Sequence, residues 1–192
     1  MSGHPSVQNS FTFERRDPVR EQRDSECAIT LWHQKARDGS APRLDEFDFQ
    51  RLQTDWGYRF LISTDEIVPA AVFIIYGLPF ARLLKLPDQA KTNLPLIPQL
   101  PPRYRGLFVE GCTEVLARPE PARYSGAAIR HDGKIELYRA AFMPLQGSKS
   151  TRPLIFGSFN YRVVVHESAS DALRAYNRLG ERARREDRLA PD

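Results

Sequence analysis

Few side chains in this sequence have the type and spacing that chemistry needs. Two cysteines, Cys27 and Cys112, stand far apart and match no zinc, haem-attachment or redox spacing. Both are expected as free thiols in a reducing compartment, Cys112 as a small apolar residue in a core rather than a ligand or redox group. The four histidines are His4, His33 beside Trp32, His131 in a turn and His166 at the end of a strand-like run. None lies three or four residues from another, so no metal site is expected. Asp45, Glu46 and Asp48 form the densest carboxylate cluster; acid–base work would need one of them desolvated, and a loop cluster is ordinarily solvated. Gly157-Ser158 sits in a strand-like run and not in a nucleophile elbow, and suits strand packing or a bulge. Gly106 and Gly111 are isolated on a helix and make no phosphate loop. These residues point to no enzyme and to no metal or cofactor.

The basic residues gather near the C-terminus. Arg174, Arg178, Arg182, Arg184, Arg185 and Arg188 are interleaved with Glu181, Glu186 and Asp187, and Arg178, Arg182 and Arg185 share a helical face. Interleaved acids make a solvated, salt-bridged helix rather than a nucleic-acid surface. The chain carries 28 Lys and Arg against 24 Asp and Glu, a net charge of +4, too small an excess to indicate nucleic acid. The N-terminal residues form no apolar leader, and no later run is apolar and long enough to span a bilayer. A cytoplasmic protein with no membrane partner is expected.

The elements that would position these residues follow from periodicity. With 192 residues the chain fits one domain plus tails. Residues 1–24 are polar and predict a flexible arm. Ala28, Leu31, Trp32 and Lys35 share the face of a first helix that Gly39 and Pro42 stop, and residues 43–55 predict a loop with one helical turn. WGYRFLISTD (56–65) and AVFIIYG (71–77) predict an antiparallel strand pair. Pro79 opens a short helix that Pro87 ends, and further prolines keep residues 88–102 irregular. Tyr104, Leu107, Phe108, Gly111, Cys112 and Val115 recur with the period of an amphipathic helix facing a core. ARYSGAAIR (122–130), the turn at Asp132-Gly133, and IELYRAAFMPL (135–145) predict a hairpin, and LIFGSFNYRVVVH (154–166) a strand returning beside it. A last helix, capped by Ser168 or Ser170, would carry Ala172, Tyr176, Leu179 and Ala183.

Helix, two strands, short helices, one longer helix and three strands is the element order of a PAS domain. Trp32, Gly39, Pro42, Asp45, Phe47 and Asp48 resemble the W…G…P…DFD opening segment of a bacterial PAS family of unknown role. The resemblance covers roughly residues 26–166. It implies an α+β fold: a five-stranded antiparallel sheet with helices across one face, plus N-terminal and C-terminal helices. The expected division is an arm at 1–24, the PAS-like domain with its first helix at 25–166, and a C-terminal helix and tail at 167–192. Photosensing flavin PAS domains carry a cysteine in an Asn-Cys-Arg-Phe string, absent here, and haem-binding ones usually a histidine on or near the long helix, where residues 102–118 have none.

The function this implies is that of a regulatory sensor or adaptor. A cup lined by Leu107, Phe108, Cys112, Phe73, Ile129 and Phe142, with Tyr104 or Tyr138 as orienting polar groups, would bind a small apolar ligand or be filled by its own side chains. Trp32, Leu31 and Ala28 would anchor the first helix on the sheet's outer face or on a partner chain. Strand residues of both parities are apolar, with Phe73 and Ile75 alternating with Val72, Ile74 and Tyr76, so both faces need cover and a homodimer is expected. A protein signalling partner fits the same reading. The alternatives from other classes are a small enzyme or ligand-binding protein of a cone-shaped α+β fold, and a nucleic-acid-binding regulator using the basic termini.

Overall fold

A computed structural model of the chain describes residues 18–37, 40–47, 56–64, 68–130, 132, 134–147 and 152–164. Helix α1 spans Pro18–Lys35 and is followed by a 3-10 turn at Leu44–Glu46. Strand β1 (Arg59–Ser63), a 3-10 turn at Val68–Ala70 and strand β2 (Val72–Tyr76) come next. Three helices follow, α2 (Leu78–Leu84), α3 (Leu96–Gln99) and α4 (Pro102–Ala117), and then strands β3 (Ala122–Ile129), β4 (Ile135–Leu145) and β5 (Leu154–Val164). The strands form one antiparallel sheet in the order β2-β1-β5-β4-β3. The first and last parts of the domain therefore meet at its centre, where β1 lies beside β5. The three helices between β2 and β3 lie across one face. This is the α+β architecture that the resemblance implies.

Three expectations shift in detail. The first helix begins at Pro18 and not at Ser25, since proline's fixed φ suits a first helical turn, where its missing N–H has no intrahelical role. Residues 88–102 hold the short helix α3, whose first residue Leu96 is tied by its N–H to Ala71 O at 2.7 Å. On β2 the register passes from Leu61↔Ile75 to Ile62↔Phe73, leaving Ile74 as an extra residue. This bulge turns Phe73 and Ile75 to opposite faces, so their expected alternation with Val72, Ile74 and Tyr76 is broken. His4, Gly39, Asp48, Phe49, His131, Gly133, His166 and the expected C-terminal helix lie outside the described residues.

The inner face of the sheet is rich in aromatic rings. Phe60 of β1 lies 5.2 to 6.1 Å, centroid to centroid, from Phe73, Phe80, Phe108 and Phe142. Two glycines allow this density. A Cβ at Gly157 of β5 would stand 2.2 Å from the Phe60 ring, and one at Gly111 of α4 would stand 2.3 Å from the Phe142 ring. Gly157 is thus a strand-packing residue, and Gly111 lets α4 approach the hairpin.

The outer face is covered by α1, which lies over β4 and β5. Ala28, Ile29 and Trp32 pack with Leu61, Ala141, Met143, Leu145, Leu154 and Phe156. The Trp32 Nε1–H donates to Pro144 O at 2.7 Å. Just beyond, Gln146 N–H donates to Pro42 O at 2.9 Å and Leu44 N–H donates to Gln146 O at 2.8 Å, a parallel bridge after the end of β4.

Candidate functional site

Among the described residues, one charged side chain is fully buried in the cup between the sheet and α2–α4. Glu136, second residue of β4, is completely buried, because its parity on the strand aims it inward with Tyr138, Ala140 and Phe142. Its partners come from the first turn of α4. Arg103 Nε–H donates to Glu136 Oε2 at 2.5 Å, and Arg103 Nη2–H to Oε1 at 3.1 Å. The Tyr104 hydroxyl donates to Oε2 at 2.5 Å. A second guanidinium, that of Arg130 just after β3, stands 3.7 Å from Oε1 and 3.3 Å from Asp132. A buried carboxylate is tolerable only when its charge and lone pairs are answered in this way.

Aromatic rings wall the carboxylate. The Tyr104 ring lies 4.8 Å from that of Phe159, 5.8 Å from Tyr138 and 5.9 Å from Tyr161, stacked on the last. The Arg103 guanidinium carbon sits 4.9 Å above the Tyr104 ring. Tyr161 donates its hydroxyl hydrogen to Leu83 O at 3.2 Å, joining the cluster to α2. Burial, then the Glu136 carboxylate, push the Tyr104 and Tyr161 phenols above their ordinary range. For Arg103 burial is the largest single influence and acts downward, but the hydrogen bonds and charges of Glu136 and Tyr104 together outweigh it and hold the guanidinium more firmly protonated. The arrangement fixes a cation against a carboxylate inside an aromatic wall.

Of the expected pocket residues, Leu107, Phe108, Cys112, Phe73, Phe142 and Tyr104 are buried in one core, and Tyr138 packs against it half-buried. Ile129 does not join them. It is 67% exposed, because the odd-numbered positions of β3 face outward while Ala122, Tyr124, Gly126 and Ala128 face the helices. The rings touch one another, with Phe108 5.3 Å from Phe142 and 5.8 Å from Phe159, so side chains fill the middle of the cup. The Cys112 thiol lies in this core, and burial pushes its pKa up to about 12. Of the expected interface residues, Ala28 and Trp32 are buried, and Leu31 half-buried, against the chain's own sheet.

Glu136, Arg103 and Arg130 went unnoticed in the sequence. The available signal was a carboxylate at an inward position of IELYRAAFMPL, in phase with Tyr138 and Phe142. Asp45, the expected loop acid, pairs at the surface with Arg43 at 2.8 Å, and Glu46 accepts the Arg43 N–H at 2.8 Å. Among the described residues no group of three or more His, Cys, Asp or Glu is placed to hold a metal ion, and no helix is long and apolar enough to cross a membrane.

No family model and no curated protein matches the chain. Among solved structures it is similar to the PAS domain of BvgS from Bordetella pertussis, at 15% identity and a TM-score of 0.42, over 71% of this chain and 98% of that one. It is also similar to a light-oxygen-voltage domain studied with a flavin analogue, at 20% identity and a TM-score of 0.40, over 70% and 93% of the two chains. A third is a sensory box histidine kinase/response regulator from Burkholderia thailandensis, at 13% identity and a TM-score of 0.37, over 74% and 100%. The PAS-like character of this fold lies in its strand order and in the helices placed between β2 and β3, as described above.

Proposed function

We propose that this chain is a PAS-type regulatory module of the cytosol, a sensor or adaptor that passes a signal by contact and performs no chemistry of its own. The observation that supports this reading is the closed inner face: helices of one continuous connection, α2 to α4, fold over a sheet whose interior holds rings and one buried ion cluster. Such a cup responds to what binds at its rim or displaces its rings, and the response reaches the outer face through β4 and β5, which carry α1. The rings that fill the centre favour the adaptor over a sensor with a large apolar ligand.

The same reading includes a homodimer. Ala28 and Trp32 are used within the chain, so the dimer contact falls on the part of the outer face beyond α1, where Ile129 is 67% exposed. Native mass spectrometry of the purified protein tests both parts. A co-purifying small molecule identifies a sensor, and a dimeric mass supports the contact; a bare monomer over the whole concentration range overturns the dimer and leaves only a monomeric adaptor.

A further inference from the structure

We propose that Glu136 and the aromatic rings around it form a recognition site for a planar organic cation of the guanidinium or amidinium class, which Arg103 of the same chain fills. Its use as a signal rests on the sensor reading; its binding chemistry does not.

The site has the two parts such a cation requires. One is a fully buried carboxylate with two oxygens presented side by side to a fork of donors, at 2.5 and 3.1 Å. The other is a ring face under the cation, Tyr104 at 4.9 Å from the guanidinium carbon, backed by Phe159 and flanked by Tyr138 and Tyr161. These groups stand on β4, β5 and α4, packed into the core. Arg103 differs from them: it reaches in from the first turn of α4 and keeps 28% of its side chain exposed. It borders solvent, as Arg130, Tyr138 and Tyr161 also do, and it holds the fork of donors that an external cation of the same shape would replace bond for bond. An ammonium point charge would not reproduce the fork, and an anion would meet Glu136. Arg130, already shared with Asp132, remains beside Oε1 as the second cation in either state.

Full-length wild type and the variants Arg103→Met, Arg103→Ala and Glu136→Gln are titrated with methylguanidinium, followed by protein NMR and thermal unfolding, with urea and methylammonium as controls. Saturable binding to Arg103→Met is expected, roughly tenfold weaker binding to the wild type, where Arg103 competes, and none to Glu136→Gln. A folded Arg103→Met protein that shows no saturable response overturns the proposal, as does a wild type with none or binding that survives Glu136→Gln. Should both Arg103 variants be unfolded alone, saturable refolding by methylguanidinium but not by methylammonium supports the site, and failure to refold overturns it. Each of these failures leaves the mass-spectrometric test of the sensor or adaptor reading intact.

Discussion

The two faces of the sheet are covered by helices of different origin, and the interiors they make differ accordingly. The inner face is closed by the connection between β2 and β3, so its cover is held at both ends by strands, and its packing is a continuous field of rings around Phe60 and Phe108. The outer face is closed by α1, which precedes all five strands, and its packing is smaller and mixed. Trp32 and Phe156 lie there beside buried Ser25 and Ser158, whose hydroxyls have no hydrogen-bond partner among the described residues. A cover tied at both ends tolerates dense packing. A cover lying over polar groups left unanswered is the weaker of the two and the better placed to move.

The largest expected effect is at the inner face. Phe60→Ala removes the ring that touches four others and should lower stability by about 3–5 kcal/mol in urea unfolding. Trp32→Ala should cost about 3 kcal/mol, and hydrogen exchange should quicken first in α1 while β5 stays protected. If exchange quickens equally everywhere, the two faces are one cooperative unit and the contrast fails. Gly111→Ala, facing Phe142 across 2.3 Å, should destabilise by about 1–3 kcal/mol. Gly106→Ala on the open side of the same helix, with nothing within 4 Å, should stabilise by up to about 1 kcal/mol; thermal unfolding of the pair reads the opposite signs.

The smallest effect concerns the two thiols. Burial raises Cys112 from 9.0 to about 12, so between those values the folded chain keeps a proton that the unfolded chain has lost. Stability from this group is full below pH 9 and falls as pH rises, by about 1 kcal/mol at pH 10. The raised phenols of Tyr104 and Tyr161 act in the same direction. Cys112→Ala should therefore flatten the alkaline slope without abolishing it. A thiol reagent at neutral pH should modify exposed Cys27 and spare Cys112 until the protein unfolds.

Where a segment packs on one side through a regular period, its sequence carried the answer. All six residues that the period assigns to the inward side of the long helix are buried, and β4 spans residues 135–145 as the alternation predicts. The antiparallel partner of β1 and the hairpin between β3 and β4 were likewise legible, from β-branched runs and an Asp-Gly turn. The bulge at Ile74 was not, because an extra residue leaves composition unchanged and alters only register. Ile129 misled because it is apolar at the end of an edge strand, where parity and not hydropathy decides the direction of a side chain. The ion cluster was hidden for a different reason. Arg103 and Glu136 stand 33 residues apart, and each alone looks like a surface charge.

The proline in β4 has a consequence for self-association. β3 ends its pairing with Phe142, and the rest of β4 continues without it, a stretch of bare strand edge that would invite a sixth strand from another molecule. Pro144 offers no N–H for such a strand, and its carbonyl is taken by the Trp32 indole. Two residues on, Gln146 gives both its backbone groups to Pro42 and Leu44. The helix on the outer face thus serves the sheet twice, as a lid over apolar side chains and as a seal along a strand edge, and a molecule that loses it would be inclined to polymerise.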